Sequence, residues 1–372
     1  MPNTYRSFIY LTKAIKSMAD SKIEAAKAHW SGRMVSNGMP LADFQDVTTQ
    51  TQSWDEWCNA LSEKGDAHAS LGYDAAKNGY FLSAGEHYVT AAVCYHFGKF
   101  LFVNNPSQMK LAHKKAIASY TTALPWLNPT GERVSIPYDG NTLFGHLRKP
   151  NGIEKPPVVI LIMGLDSAKE EMFNNEALFL DRGMATLTFD GPGQGEAEYD
   201  LVICPEYEKP VQAVIDYIKT QDELDASRIG LWGVSMGGYY APRAAAFCDT
   251  LKGCIALSGP FNLALCYDSL PALTRSCFDY RSGGLDNKSI RKIASRMSLE
   301  HVAGQIKCPL FIVSGKLDRV IPSEHAFMLE KAAVRASEIK HLAVPDGGHV
   351  VNNRAYKYRQ ASADWMAQKM NV

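Results

Sequence analysis

The stretch Gly233-Val-Ser-Met-Gly-Gly238 constrains the fold of this chain more than any other. It follows a short apolar run, residues 228–232, and precedes a helix-compatible segment, residues 239–247. A serine with glycine two positions before and after it, between a strand and a helix, is the pattern of a nucleophile elbow. The strained turn exposes the hydroxyl and leaves no room for side chains at the flanking glycines. We predict that Ser235 is a nucleophile; a glycine-rich turn without chemistry is the alternative.

The chain from Glu132 onward alternates apolar strands with helical segments, after a predicted β-hairpin. This alternation predicts a mostly parallel sheet with helices on both faces, as in an α/β protein. The segment from Gly259 to Ile306 is too long for a simple crossover, and we predict a lid insertion at about 261–306. Residues 354–370 read as a terminal amphipathic helix. We therefore assign residues 129–372 to a catalytic domain.

Residues 1–128 have a different pattern, with apolar residues at helical spacing throughout. The most apolar of the helical segments is Phe81–Val103. We predict an all-helical N-terminal domain that serves as a cap, as a dimerisation surface or as both. A homodimer formed through this domain is therefore a possible assembly.

A serine nucleophile needs a base, and the base needs a carboxylate that orients it. Asp318 follows the apolar strand 308–314, and His349 follows the last strand in Asp346-Gly-Gly-His349. The order serine, acid, histidine, with each residue at a strand end, is the order found in α/β-hydrolases. We predict that Asp318 and His349 complete a triad with Ser235. Asp346 is the alternative acid, whereas His325 and His341 fall within a helix and a strand.

An oxyanion hole needs two backbone N–H groups that face the reacting carbonyl. One is predicted at Met236, the residue after the nucleophile. The other is predicted at Leu165, in the loop after the apolar strand 158–162, where Gly164 allows close approach to the substrate. The turn Asp190-Gly-Pro-Gly-Gln-Gly-Glu196 lacks the Lys-Ser/Thr of a nucleotide-binding loop, so we interpret it as a tight turn that shapes the pocket.

Composition argues against several classes of protein. Lys+Arg and Asp+Glu number 39 each, so no net charge favours nucleic acid or an anionic membrane. The longest apolar run, residues 158–165, is far too short to span a bilayer. The start of the chain lacks the apolar core of a signal peptide. The eight cysteines show no zinc spacing and are expected as free thiols, from which we predict a cytoplasmic protein without metal or cofactor.

Four stretches together resemble the α/β-hydrolases. They are the strand and turn 156–166, Phe189-Asp-Gly-Pro-Gly-Gln-Gly-Glu196, the Ser235 elbow and Asp346-Gly-Gly-His349. More narrowly, they resemble the branch that contains 2,6-dihydropseudooxynicotine hydrolase and the fermentation-respiration-switch-type esterases. The resemblance implies an α/β-hydrolase fold behind a helical domain, with Ser235, His349 and Asp318 as the triad and Leu165 and Met236 as oxyanion donors.

The implied function is a serine hydrolase that forms an acyl-enzyme from a small carbonyl substrate. Hydrolysis of a carbon–carbon bond next to a ketone, in an aryl ketone or a β-diketone, is the first interpretation, and a carboxylesterase is the second. A non-catalytic protein with the same fold, acting as a scaffold, is the third. Tyr267 and Asp268 in the insertion are candidate pocket residues, because a carboxylate facing the pocket would steer a polar or cationic substrate.

Overall fold

An eight-stranded sheet forms the centre of the molecule, in a computed structural model that describes residues 20–372. Its strands are β1 (Gly131–Tyr138), β2 (Asn141–Arg148), β3 (Pro157–Ile162), β4 (Ala185–Phe189), β5 (Asp225–Val234), β6 (Gly253–Leu257), β7 (Leu310–Gly315) and β8 (Ile339–Val344). They lie in the order β1-β2-β4-β3-β5-β6-β7-β8. The pairs β1–β2 and β2–β4 are antiparallel, and all other neighbours are parallel. The mostly parallel sheet is confirmed.

Within residues 20–372, six α-helices precede the sheet. They are α1 (Ser21–His29), α2 (Ser31–Ser36), α3 (Leu41–Gln50), α4 (Trp54–Lys77), α5 (Phe81–Lys99) and α6 (Pro106–Ala123). We call residues 20–126 the helical region; residues 1–19 of the N-terminal domain expected from the sequence lie outside the described part. The helix α5 is buried along most of its second half because α4 and α6 pack on both sides of it.

The remaining helices follow the strands. They are α7 (Phe173–Leu180), α8 (Glu208–Lys219), α9 (Gly237–Phe247), α10 (Ala272–Arg281), α11 (Asn287–Arg296), α12 (Glu324–Ala332) and α13 (Arg359–Met370). Helices cover both faces of the sheet, so every residue of β3, β4, β6 and β7 is buried. The helix expected from residue 354 begins only at Arg359, because Val350, Val351 and Arg354 have non-helical dihedral angles.

The strand β5 lies in the middle of the sheet, between β3 and β6. Leu231 is opposite both Ile160 of β3 and Cys254 of β6. In open α/β sheets, ligands bind outside the carboxyl ends of the strands. The end of β5 therefore places Ser235 at the centre of the edge where a substrate site is expected.

The segment between β6 and β7 contains α10 and α11, and we call residues 261–306 the insertion. It packs against the helical region, where the thiol of Cys277 lies 3.8 Å from the carbonyl oxygen of Phe100. It also contacts the loop after β4, because the Ile203 N–H donates to the Arg281 carbonyl at 3.0 Å. The insertion thus joins the helical region to the sheet.

Two further expectations bear on the surface of the molecule. No helix within residues 20–372 is long and apolar enough to cross a membrane. The homodimer through the helical region stays a prediction. Large apolar side chains are exposed around the connection between α4 and α5, namely Leu71, Tyr73, Tyr80, Phe81 and Leu82.

Candidate active site

Ser235 occupies a sharp turn between β5 and α9. Its φ angle is +57°, a left-handed conformation that costs free energy for a residue with a side chain. Its N–H donates to the Leu257 carbonyl at 2.8 Å, which fixes the turn against β6. A Cβ atom at Gly233 would lie 2.0 Å from the Gly237 carbonyl oxygen, and one at Gly237 would lie 2.0 Å from that of Ile162. Both glycines are therefore required for this turn.

Ser235, His349 and Asp318 form one hydrogen-bonded row. The Ser235 Oγ lies 2.8 Å from the His349 Nε2, and the His349 Nδ1 lies 2.8 Å from the Asp318 Oδ2. The other carboxylate oxygen of Asp318 accepts from the N–H groups of Val320 and Ile321 at 2.8 and 2.9 Å. These contacts leave one oxygen of the carboxylate directed at the imidazole, so the row has the geometry of a serine–histidine–aspartate triad.

Asp346, the alternative acid, lies at the surface. Its carboxylate binds the side chains of Arg354 and Lys357 at 2.7 and 2.6 Å. Hydrogen bonds from Lys357 and Arg354 lower the pKa of Asp346 to about 2. The carboxylate that accepts the hydrogen bond from the His349 Nδ1 is that of Asp318 instead.

The two other candidate histidines have separate partners. His325 accepts a hydrogen bond from the Phe261 N–H at 3.0 Å and so anchors the start of the insertion. His341 lies 2.9 Å from the Ser314 Oγ and 2.7 Å from a Glu330 oxygen, a second serine–histidine–carboxylate row. However, Ser314 lies within β7 and is only 2% exposed, so a substrate has no access to it.

The predicted oxyanion residues lie beside the nucleophile. A Cβ atom at Gly164 would be 3.0 Å from the Ser235 Cβ, so only glycine lets this backbone approach so closely. Leu165 follows directly, and Met236 precedes the first turn of α9. Within residues 20–372, neither a backbone nor a side-chain group accepts a hydrogen bond from the Leu165 or Met236 N–H. Their role as oxyanion donors stays a prediction, with which these unpartnered N–H groups are consistent.

A buried ion pair holds the loop after β3 to the helical region. The Arg33 guanidinium donates to both oxygens of Glu171 at 2.7 Å, to Asp166 at 2.8 Å and to the Ser167 hydroxyl at 2.8 Å. Burial alone would raise the pKa of Glu171, but the charge and hydrogen bonds of Arg33, with one from His96, hold it well below its usual value. Glu171 is therefore charged, and its low pKa depends mainly on Arg33.

Two cavities adjoin the row. One, of about 300 Å³, is lined by residues 28–33 of the helical region and by residues of the loops that carry Asp318 and His349. The other, of about 20 Å³, reaches Ser235 and His349 but has room for little more than a water molecule. The helical region therefore forms a wall of the space next to the predicted base.

The two candidate pocket residues of the insertion are engaged elsewhere. The Asp268 carboxylate is mostly exposed and pairs with Arg291 at 2.6 and 2.8 Å, so these contacts give its prediction as a pocket residue no support. Tyr267 is buried, and its hydroxyl donates to Asp279 at 2.7 Å. The sequence shows that the insertion carries carboxylates, but it does not show which of them face the pocket.

One buried group of possible metal ligands consists of His113, Glu170 and Asp190. The Lys169 ammonium lies 2.7 Å from Glu170 and 2.8 Å from Asp190. Burial would lower the pKa of Lys169, but the charges of Asp190 and Glu170 raise it above its usual value. The charged lysine thus supplies the positive charge that these carboxylates need, and we assign no metal to them.

A second group consists of Asp43, His68 and Cys94 in the helical region. Asp43 already accepts a hydrogen bond from His68 at 2.7 Å and faces Lys64 at 3.4 Å. Burial, with the nearby charge of Asp43, raises the pKa of the Cys94 thiol to about 12. Because metals bind the thiolate, this thiol is poorly prepared as a ligand.

Three residues that contact the active-site loop were not predicted from the sequence, namely Arg33, Gln194 and Arg281. Each contacts the loop of residues 163–167 from a distant part of the chain. Only Gln194 lies in a motif that the sequence made conspicuous, the glycine-rich turn after β4.

The sheet order, the serine elbow and the histidine after the last strand define an α/β-hydrolase. A model of the prolyl oligopeptidase family matches residues 171–372, more than half of the chain. The chain belongs to this family of α/β-hydrolases.

Similarity to one relative and to one solved structure extends into the helical region. The chain is 34% identical over 353 residues to 2,6-dihydropseudooxynicotine hydrolase of Paenarthrobacter nicotinovorans, covering 93% of this chain and 92% of that protein. It is 32% identical over 224 residues to 20-hydroxy-prefusarin hydrolase FUS2 of Gibberella moniliformis, covering 56% and 53%. The crystal structure of 2,6-dihydroxy-pseudo-oxynicotine hydrolase matches with a TM-score of 0.84 at 30% identity, covering 91% and 95%. The chain is thus a hydrolase.

Proposed function

We propose that this hydrolase acts through an acyl-enzyme on Ser235, with His349 as general base and acid and Asp318 as the orienting carboxylate. The observation that carries the proposal is the hydrogen-bonded row at the serine elbow, with 2.8 Å at each of its two contacts. A serine on a strained turn with a positioned imidazole is what nucleophilic catalysis requires.

In the first half-reaction, the Ser235 oxygen bonds to the substrate carbonyl carbon and its proton passes to the His349 Nε2. The carbonyl oxygen becomes an oxyanion, which accepts hydrogen bonds from the Leu165 and Met236 N–H groups. When this intermediate collapses, the bond to the leaving group breaks. His349 returns the proton to the leaving group, and the acyl group stays on Ser235.

In the second half-reaction, a water molecule gives a proton to His349 and bonds to the acyl carbon. Collapse of the second oxyanion breaks the bond to Ser235 and releases a carboxylic acid, and the proton returns to the serine oxygen. Asp318 keeps the His349 Nδ1 protonated and stabilises the imidazolium formed in each step. No cofactor takes part in this sequence.

The bond broken is proposed to be a carbon–carbon bond next to a ketone. Support comes from the relative named 2,6-dihydropseudooxynicotine hydrolase, a C–C hydrolase similar over almost the whole chain. In that reaction the leaving group is a carbanion, which departs only if the substrate delocalises its charge. A hydroxylated aromatic ring or a β-dicarbonyl does so, and we propose such a ketone as the substrate.

The serine mechanism is tested with a fluorophosphonate probe, which labels activated serines. The wild type and Ser314→Ala should be labelled, whereas Ser235→Ala should not. Ser314 is the matched control because it too is hydrogen-bonded to a histidine. Absence of wild-type labelling, or equal labelling of Ser235→Ala, would overturn the mechanism.

The bond type is tested on a substrate panel of a polyhydroxylated aryl ketone, a β-diketone and a nitrophenyl ester. Release of a carboxylic acid from one of the ketones, abolished in Ser235→Ala, is the expected result. Rapid ester hydrolysis without cleavage of either ketone would contradict the C–C assignment and indicate an esterase, while leaving the serine mechanism intact.

A further inference from the structure

Three consecutive backbone carbonyls beside the nucleophile each accept a hydrogen bond from a buried side chain. The Gln194 amide donates to the carbonyl oxygens of Met163 and Gly164 at 2.6 and 2.8 Å. The Arg281 guanidinium donates to the carbonyl oxygen of Leu165. Gln194 and Arg281 are 1% and 2% exposed, so water does not compete for these carbonyls.

The orientation of one carbonyl sets the orientation of the next N–H. In a trans peptide the C=O of one residue and the N–H of the following residue lie in one plane and point in opposite directions. The bond between Gly164 and Leu165 is trans. A Gly164 carbonyl held by Gln194 therefore directs the Leu165 N–H away from Gln194. We propose that Gln194 is a positioning residue that fixes the Leu165 N–H for the oxyanion; this rests on the role of Leu165 in the proposed function.

Gln194 is itself held so that its amino group faces the loop. Its side-chain oxygen accepts from the Tyr207 hydroxyl and from the Gly191 N–H at 3.3 Å. Because two donors occupy the oxygen, the amide cannot flip without losing both hydrogen bonds. The donor end of Gln194 is thus committed to Met163 and Gly164.

The glycines of the turn allow this arrangement. A Cβ atom at Gly191 would lie 2.0 Å from the Tyr207 hydroxyl oxygen, and Gly193 and Gly195 have φ angles of +76° and +45°. The Asp190 carboxylate closes the turn by accepting from the Lys169 and Glu196 N–H groups, both at 2.9 Å. The glycines of this turn therefore allow the backbone conformation that holds the Gln194 side chain in place.

Gln194→Glu tests the proposal because glutamate keeps the size and one acceptor oxygen of glutamine but replaces its amino group. An ionised glutamate has no donor for the Gly164 carbonyl, so the Leu165 N–H loses the contact that holds it. The matched control is Gln212→Glu, on the exposed side of α8, where the side-chain amide donates to Asp216 at 2.9 Å. Rates of covalent labelling by a fluorophosphonate are measured, because its phosphoryl oxygen occupies the oxyanion site.

The maximal labelling rate, kinact, should fall in Gln194→Glu by roughly 10- to 10³-fold, up to the loss seen when one oxyanion donor is removed. The non-covalent constant KI should stay within about threefold, because reversible binding does not use the oxyanion donor. A merely structural role would instead lower the midpoint of urea unfolding and leave kinact unchanged in the folded protein. That result would overturn the proposal.

Two further outcomes are decisive. Labelling of the wild type and of Ser235→Ala at equal rates would refute the proposed function. If the wild type is labelled and Ser235→Ala is not, equal labelling rates in Gln194→Glu and Gln212→Glu would refute only the role of Gln194. If Gln194→Glu does not fold, Tyr207→Phe removes the hydroxyl that holds Gln194 and keeps the amide in place. An unchanged kinact in Tyr207→Phe would then refute the proposal, and a several-fold decrease would support it.

Discussion

Arg33 in the helical region and Glu171 in the sheet domain form a buried pair joined by two hydrogen bonds of 2.7 Å. The same guanidinium holds Asp166 and Ser167, directly after the predicted oxyanion donor. One side chain therefore links the attachment of the helical region to the shape of the active-site loop.

Arg33→Met should destabilise the protein by about 3–5 kcal/mol, because it leaves the Glu171 charge buried without its partner. Urea unfolding, followed by tryptophan fluorescence, measures the loss. The matched control is Arg291→Met, which breaks the exposed pair with Asp268 and should leave the unfolding midpoint close to that of the wild type. Equal losses in the two variants would show that Arg33 does not stabilise the junction.

Asp318→Asn should lower the rate of fluorophosphonate labelling by roughly 10⁴-fold while the protein stays folded, because an amide can hold His349 in the wrong tautomer. Stopped-flow or gel-based labelling measures the rate. The matched control is Asp346→Asn, at the alternative acid. It removes only a surface contact to Arg354 and Lys357 and should be labelled at the wild-type rate. If Asp346→Asn were the more impaired variant, Asp318 would not be the orienting acid.

Gly164→Ala should slow the reaction by roughly 10²-fold, since a Cβ atom 3.0 Å from the Ser235 Cβ must displace the nucleophile or the loop. Gly304→Ala is the matched control because its new Cβ would have no neighbour closer than 3.6 Å. Both variants are compared by labelling rate and by urea unfolding. Wild-type labelling by Gly164→Ala would mean that the loop tolerates a side chain and that the close approach has no catalytic role.

His113 and His146 should make the protein less stable as the pH falls below about 6.5. Burial, with the positive charge of Lys99 for His113 and of Lys169 for His146, lowers the pKa of both histidines in the folded state. Below pH 6.5 the unfolded chain therefore binds protons that the folded protein does not. The contribution of each histidine to the free energy of unfolding is fully present above that pH. As the pH falls from 6.5 to the folded-state pKa, this contribution decreases by up to about 1.4 kcal/mol per pH unit for each histidine.

Urea unfolding at about pH 7, 6 and 5.5 measures this slope. His146→Gln should reduce it by up to about 1.4 kcal/mol per pH unit, although the variant is less stable at neutral pH. The control is His301→Gln at the surface, where no buried group is removed. An identical slope in His146→Gln and the wild type would show that His146 is not held neutral by the fold.

The sequence was sufficient for the sheet, the serine elbow and the order of the candidate triad because each has a local signature. Apolar runs such as 158–162 and the glycines around Ser235 act within a few residues of chain. The elbow requires glycine for steric reasons, and the structure shows the contacts responsible.

The polar contacts between distant parts of the chain were not predictable in the same way. Arg33 and Asp166 lie 133 positions apart, and Arg281 and Leu165 lie 116 apart. A hydrogen bond across such a separation produces no periodic pattern in the sequence. The sequence therefore does not show which arginine of a helix forms a buried ion pair. The same applies to Asp268, because the composition of the insertion does not reveal which carboxylates face solvent.

The loop of residues 163–167 is held by Gln194, Arg281 and Arg33, which belong to the turn after β4, to the insertion and to the helical region. This has a consequence for protein engineering. A chimaera that takes its helical region from a relative, to change substrate range, needs an arginine at the place of Arg33. Without it, the graft would leave the Glu171 charge buried without its arginine and the loop of residues 163–167 without one of the side chains that hold it. Libraries that exchange the helical region should therefore keep Arg33 together with Glu171 and Asp166.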